Sequence, residues 1–165
     1  MDVLADLATI GGFGVLHCGA TLADVENALG PAETYGILSD HEEDRWPRMF
    51  GYANAELAVC RCREIAMVLV QTHYDEPVKL PLGASPVLTS LATGVRRSDL
   101  VHRLEGYEEH HRPDLDATYL DFSDAALRIS FVFSFEEGFG DERRLVEDPL
   151  LHKVVVTRTG HECPA

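Results

Sequence analysis

The sequence predicts an α+β protein made of two tandem helix–helix–antiparallel-sheet repeats, with the helices packed on one face of the sheet. Two observations predict this fold. A short helix at 19–31 carries its own start and stop residues, and a weaker copy of it begins at Gly94. Each copy is followed by segments in which apolar and polar residues alternate, as they do in half-buried strands.

The two copies match in a helix and in a strand segment. Asp24 corresponds to Asp99 at an offset of 75, and 52–59 corresponds to 122–129 at an offset of 70. The chain of 165 residues is long enough for two small repeats that share a core. We therefore predict a first repeat at 1–76, a linker at 77–86, a second repeat at 87–158 and a flexible tail at 159–165.

The second helix of the first repeat is the best-defined element. Thr21 can cap its N-terminus, Asp24 places an acid in its first turn, and Gly30 followed by Pro31 ends it. The other elements predicted for this repeat are a helix at 2–8, a polar loop at 33–48, and a hairpin of strands at 56–63 and 65–72.

The second repeat is predicted to follow the same order. In its longest strand, every second residue from Leu127 to Phe135 is apolar, so one face of that strand is predicted to be core. The elements of this repeat are helices at 86–92 and 94–106, a polar loop at 107–116, and strands at 119–122, 127–135 and 154–157.

The helix motif Gly-x-Thr-x-x-x-Val-x-x-x-Leu-Gly is present as Gly19, Thr21, Val25, Leu29 and Gly30. It resembles the second helix of SmpA/OmlA-like outer-membrane assembly lipoproteins and of the β-lactamase inhibitory proteins, although the proline that follows comes one residue earlier here. The inhibitory proteins are similar in having two helix–helix–sheet units. The chain also looks like small actinomycete proteins, some encoded near toxin-immunity genes. The resemblance implies the repeat fold and a protein-binding role, without a target.

The charge balance narrows the classes of partner. Fourteen basic residues stand against 28 acidic ones, which gives a formal net charge of −14. Such a surface repels nucleic acid and attracts a basic protein or a cation, although it can equally serve solubility alone. The sequence has no apolar run of membrane-spanning length and begins with an acid-rich segment, so we expect a cytoplasmic protein without a membrane partner.

Three groups of residues contain metal-ligating side chains. His110 and His111 lie near two aspartates, Cys60 and Cys62 form a Cys-x-Cys motif, and His161 precedes Cys163 by two positions. None of them has the separated ligand pairs of a structural zinc site, so the sequence predicts no metal and no cofactor. The four cysteines, Cys18 included, are expected to be reduced thiols, with Cys60 and Cys62 in a strand.

The sequence indicates binding rather than catalysis. It has no nucleophile-elbow, phosphate-loop or paired-carboxylate signature. Aromatic side chains rimmed by acids suit capture of a basic protein surface, although Trp46 can instead pack its own loop against the core. The predicted binding residues are Trp46, Tyr107, Arg128, Glu136, Glu137 and Asp141.

We therefore predict a non-catalytic protein-binding module of immunity or inhibitor type. The alternative is a small enzyme or ligand binder that uses a cleft between the repeats. The oligomeric state is not indicated by any motif.

Overall fold

The computed structural model describes residues 4, 11–34, 46–52, 54–72, 78–81, 88–91, 94–137 and 144–162. The helices are α1 (Leu22–Leu29), α2 (Arg97–Val101) and a short 3-10 helix at Pro113–Leu115. The strands are β1 (Gly12–Phe13), β2 (Leu16–His17), β3 (Glu33–Thr34), β4 (Arg48–Tyr52), β5 (Ala55–Val59), β6 (Ile65–Gln71), β7 (Val78–Pro81), β8 (Leu88–Leu91), β9 (Glu108–Arg112), β10 (Ala117–Ser123), β11 (Leu127–Glu137) and β12 (Arg144–Arg158).

Eight of these strands form one antiparallel sheet in the order β3-β4-β5-β6-β12-β11-β10-β9. β6 and β12 pair at its centre, where Val68 lies opposite Val156 and Val70 lies opposite Val154. The two halves of the chain therefore contribute four strands each to a single continuous sheet. Strands β1 and β2 form one separate hairpin, and β7 and β8 form another.

The predicted fold class is wrong, because the described chain is mostly β-structure and not two helix–helix–sheet repeats. The segment 86–92, predicted as a helix, contains β8, and the predicted linker contains its partner β7. Val78 and Leu80 of that linker are fully buried. The error has a physical cause: a short apolar run fits a strand as well as a turn of buried helix, and here pairing with β7 decides between them.

The element order nevertheless occurs twice. A hairpin, a helix and a four-stranded meander follow one another as β1–β2, α1 and β3–β6, and again as β7–β8, α2 and β9–β12. The helix predicted at 2–8 lies outside the described residues except for Leu4, which is helical and buried. In the described chain, no helix has the length and apolar character needed to cross a membrane.

A single apolar cluster covers one face of the sheet. The alternation predicted for β11 is confirmed, since Ile129, Phe131 and Phe133 are all buried in this cluster. Both helices and both hairpins pack on the same side. They contribute Leu22 and Val25 from α1, Leu100 from α2, Phe13 and Leu16 from β1–β2, and Val78 and Leu80 from β7–β8.

Helix α1 begins and ends where the sequence predicts. The Thr21 hydroxyl accepts the backbone N–H of Asp24 at 3.1 Å, and Gly30 ends the helix with a φ of 89°. The backbone N–H of Leu22 donates to the carbonyl of Arg63 at 3.0 Å, which joins the start of the helix to the β5–β6 turn. The helix thus ties the covering layer to one end of the sheet.

Helix α2 is held to β12 by Asp148. One carboxylate oxygen accepts the Ser98 hydroxyl at 2.6 Å, and the other accepts the Ser98 backbone N–H at 3.1 Å. The hydrogen bond from the Ser98 hydroxyl, with further help from the Ser98 N–H and the charges of Arg96 and Arg97, holds the pKa of the Asp148 carboxyl below its ordinary value. The ionised carboxylate is therefore the form that stabilises the fold.

Asp148→Asn should reduce the free energy of unfolding by about 0.5 to 1 kcal/mol at neutral pH, because hydrogen bonds at this solvent-accessible site are screened. Since the folded pKa is lowered, this contribution is complete above the ordinary carboxyl pKa and disappears as the pH falls through the folded value. Urea unfolding of the wild type and the variant, measured from about pH 7 down to about pH 3, follows this difference through the range in which carboxyl groups titrate. Glu147→Gln, an exposed neighbour, is the control; a pH-independent difference would contradict the assignment.

Candidate functional site

The face of the sheet opposite the core is the first candidate surface, and we call it the open face. In the described chain, the helices and hairpins that pack on the sheet do so on the other side. One row of opposed residues crosses the open face from β5 to β9: Glu56, Leu69, Val155, Ser130, Asp121 and Glu108. The row has a half-buried apolar centre and an acid on each side.

The β10 side of the open face contains a buried carboxylate. Asp121 is 5% exposed, and its Oδ2 pairs with the guanidinium of Arg128. The His110 imidazole lies 3.8 Å from the same oxygen. The other oxygen, Oδ1, is buried and has no hydrogen-bond partner among the described residues. An unsatisfied buried acceptor is costly to the folded state.

The second candidate region lies at the end of the sheet formed by the β5–β6 turn. The backbone N–H of Cys60 donates to Glu64, and that of Arg63 donates to Cys60. Arg63 has a φ of 70°, a left-handed conformation that is uncommon for arginine. Cys60 and Cys62 therefore lie in a tight turn, and the prediction of a strand through 63 is wrong at these positions.

Trp46 lies beside this turn under two guanidinium groups. Arg48 and Arg63 are 4.8 Å and 5.2 Å from the centre of its ring. The indole also packs against the apolar cluster. The Trp46 side chain is thus held by contacts within the chain. This favours the alternative that Trp46 packs its own loop against the core.

The β5–β6 turn also faces the end of the chain. His161 Nε2 lies 3.5 Å from Cys62 Sγ, and one donor atom from each of Cys60, Cys62 and His161 lies within 4.8 Å of the other two. We call these three residues the thiol–imidazole cluster. Glu64 Oε2 lies 3.9 Å from His161 Nδ1 and also pairs with Arg158. Residues 159–162, predicted as part of the flexible tail, thus include contacts with the sheet, and Thr159 donates its N–H to Ala126.

The other described cysteine is structural. Burial raises the pKa of the Cys18 thiol to about 11, so it is protonated at neutral pH. The carbonyl oxygens of Ala66 and Val156 each lie 3.5 Å from its sulfur, and its single S–H can donate to either of them. A protonated, hydrogen-bonded thiol is a poor nucleophile. Cys163 lies outside the described residues.

The structure does not bring the predicted binding residues together. Arg128 lies on the open face, whereas Trp46 and Tyr107 pack against the core, Tyr107 with its ring 6.1 Å from that of Phe122. Glu136 and Glu137 are the last residues of β11, and Asp141 lies outside the described residues. His110 borders the open face, and His111 stacks edge-on against Phe135 at 5.6 Å.

Sequence reasoning missed the main residues of the open face. Leu69 and Val155 lie in strands that are apolar on both faces, so alternation does not say which side is the core. Asp121 and Glu56 look like ordinary surface acids in the sequence. Only the strand order places them in one row.

No protein-family model, curated protein or solved structure matches the chain. The resemblance to the β-lactamase inhibitory proteins and the SmpA/OmlA-like lipoproteins therefore stays a prediction.

Trp46→Ala should lower the free energy of unfolding by about 1 to 3 kcal/mol, because it removes apolar packing and two cation–π contacts. Chemical denaturation measures this loss. Trp46→Phe, which keeps an aromatic ring, should lose less. A melting temperature unchanged by Trp46→Ala would contradict a packing role.

Arg63→Gly should be more stable than Arg63→Ala by about 1 kcal/mol, because both remove the guanidinium but only glycine relieves the left-handed backbone. Thermal and urea unfolding of the two variants measure the difference. Arg61, an exposed residue of the same turn without a positive φ, provides the control. There the order should reverse, with alanine above glycine. If alanine were the more stable substitution at both positions, Arg63 would not be strained.

Proposed function

We propose that this protein is a non-catalytic protein-binding module and that a basic protein surface docks on its open face. The observation that carries the proposal is the one-sided core. In the described chain, all covering elements lie on one face, and the other presents a row with an apolar centre between acids. Protein interfaces combine an apolar centre with a polar rim in this way.

The dimensions of this row suit a protein partner. Glu56 and Asp121 lie four strands apart, which corresponds to about 19 Å at the usual strand spacing. Leu69 and Val155 lie between them on the two central strands. A partner that covers the row would contact several strands at once, as a protein surface does.

The electrostatics favour a basic partner. The whole chain carries a net charge of −14, which would accelerate association with a cationic surface. At the row itself, Glu56 and Glu108 are accessible to an incoming lysine or arginine, whereas Asp121 is buried beside Arg128. Charge-assisted hydrogen bonds of this type are stronger than neutral ones.

An immunity- or inhibitor-type role is the more specific form of this proposal, and its support is the helix motif that resembles the β-lactamase inhibitory proteins, since the shared repeat fold is not present. The alternative, a small enzyme or ligand binder that uses a cleft between the repeats, stays a prediction, and the pairing of the two central strands makes it the less favoured one. β6 and β12 pair along five residues each, so the two halves meet in a continuous sheet.

Affinity purification from cells of the source organism, followed by cross-linking, tests the open face. The chain contains two lysines, Lys79 and Lys153, and Lys153 is opposite Gln71 and Val132, in the row next to Leu69 and Val155. We expect a basic partner in stoichiometric amount and an amine cross-link from Lys153 to it. Lys153→Arg should abolish that cross-link while keeping the charge and the partner.

Leu69→Lys should reduce recovery of this partner at least about tenfold, because it places a charge at the centre of the interface. Leu115→Lys is the matched control, since Leu115 is 55% exposed and lies outside the row. Circular dichroism confirms that both variants fold. Equal recovery with both variants would contradict the proposed surface. Absence of any partner at every salt concentration, with a small ligand retained instead, would overturn the function itself.

A further inference from the structure

We propose that Cys60, Cys62 and His161 bind one zinc ion. The sequence by itself argues against a metal site, because it lacks two separated ligand pairs of the usual spacing. The fold supplies what the sequence spacing does not. It brings a Cys-x-Cys turn from the first half of the chain next to a histidine that follows the last strand.

The distances suit tetrahedral zinc. With zinc at about 2.3 Å from sulfur and about 2.0 to 2.1 Å from nitrogen, two tetrahedral ligands lie about 3.5 Å apart. Cys62 Sγ and His161 Nε2 are 3.5 Å apart. The three donor atoms lie within 4.8 Å of one another, so small side-chain rotations bring all three to zinc, and water takes the fourth tetrahedral position.

The donor chemistry selects the metal. Two thiolates and an imidazole are the ligand types that zinc takes in proteins, whereas calcium and magnesium require oxygen ligands. Two thiolates also neutralise the charge of a divalent ion. Binding must displace the thiol protons, so zinc affinity should fall as the pH is lowered.

The surrounding groups orient the histidine. Glu64 Oε2 lies on the Nδ1 side of the His161 ring, at 3.9 Å, which leaves Nε2 facing the thiols. Arg158 pairs with the same carboxylate and so fixes it next to the ring. A carboxylate behind a zinc-binding histidine is a common arrangement that sets the ring orientation and raises its basicity. At 3.9 Å the Glu64 carboxylate is not hydrogen-bonded to the ring, and a small rotation would make Glu64 the positioning residue when zinc binds.

The backbone fixes the two cysteines independently of any metal. Hydrogen bonds between Cys60 and Glu64, at 2.8 Å, and between Arg63 and Cys60, at 2.9 Å, close the turn. β12 brings His161 to it, because Thr157 lies opposite Met67 near the start of β6. The site is thus formed by folding, and zinc bound there should stabilise the folded chain.

Metal titration of the full-length protein in reducing buffer tests the proposal. After removal of metal with a chelator, we expect one zinc ion to bind per chain and raise the melting temperature. Cobalt(II) should give the thiolate charge-transfer band of a tetrahedral sulfur site. Each ligand variant should weaken zinc binding at least about tenfold and lose the rise in melting temperature; these variants are Cys60→Ser, Cys62→Ser and His161→Gln. Glu64→Gln should weaken zinc binding about 10- to 100-fold.

Two controls separate this site from other thiols and histidines. Cys18→Ser and His110→Gln should bind zinc as the wild type does. The ligand variants should melt like the metal-free wild type, since serine is close to cysteine in size and both cysteines lie in a turn. The proposal is overturned if the wild type binds no zinc, if the ligand variants bind it equally well, or if Cys60 and Cys62 form a disulfide under these reducing conditions.

Discussion

The antiparallel pairing of β6 with β12 decides which residues of the two halves of the chain meet. Val68 and Val70 of β6 lie opposite Val156 and Val154 of β12, and all four side chains are fully buried. Since successive strand residues point to opposite faces, a shift of this register by one residue would expose the whole set. The apolar cluster on one side of the sheet therefore fixes the composition of the open face on the other.

The same pairing also fixes the end of the sheet. Because β12 runs antiparallel to β6, its C-terminal end lies beside the β5–β6 turn, and His161 reaches Cys62 across a sequence separation of 99 residues. Helix α1 is joined to the same end of the sheet by the hydrogen bond from the Leu22 N–H to the Arg63 carbonyl. Two unusual local features therefore lie at this end of the sheet. They are the left-handed backbone of Arg63 and the two guanidinium groups over the Trp46 ring.

Local signals in the sequence predicted only part of the local structure, since the loop predicted at 107–116 contains β9 and the helix predicted at 94–106 spans only Arg97–Val101. The cap at Thr21, the stop at Gly30 and the alternation along β11 each depend on neighbouring residues, and each is confirmed. The helix prediction for 86–92 is wrong because the sequence pattern of this segment fits both helix and strand. Its pairing with β7 makes it a strand. The candidate sites depend on strand order, which joins residues from distant parts of the chain. No spacing rule predicts that Cys62 and His161 meet.

The two proposals rest on different parts of the structure. The open face depends on Leu69, Val155 and Asp121, which lie within the sheet, whereas the thiol–imidazole cluster lies at its end and beyond β12. A zinc ion there would link the β5–β6 turn to the segment after β12 and so reinforce the register of the central strands. Because the two sites use different residues, a protein without zinc that still binds its partner would retain the open face as a site. A protein that binds zinc but no partner would retain the thiol–imidazole cluster.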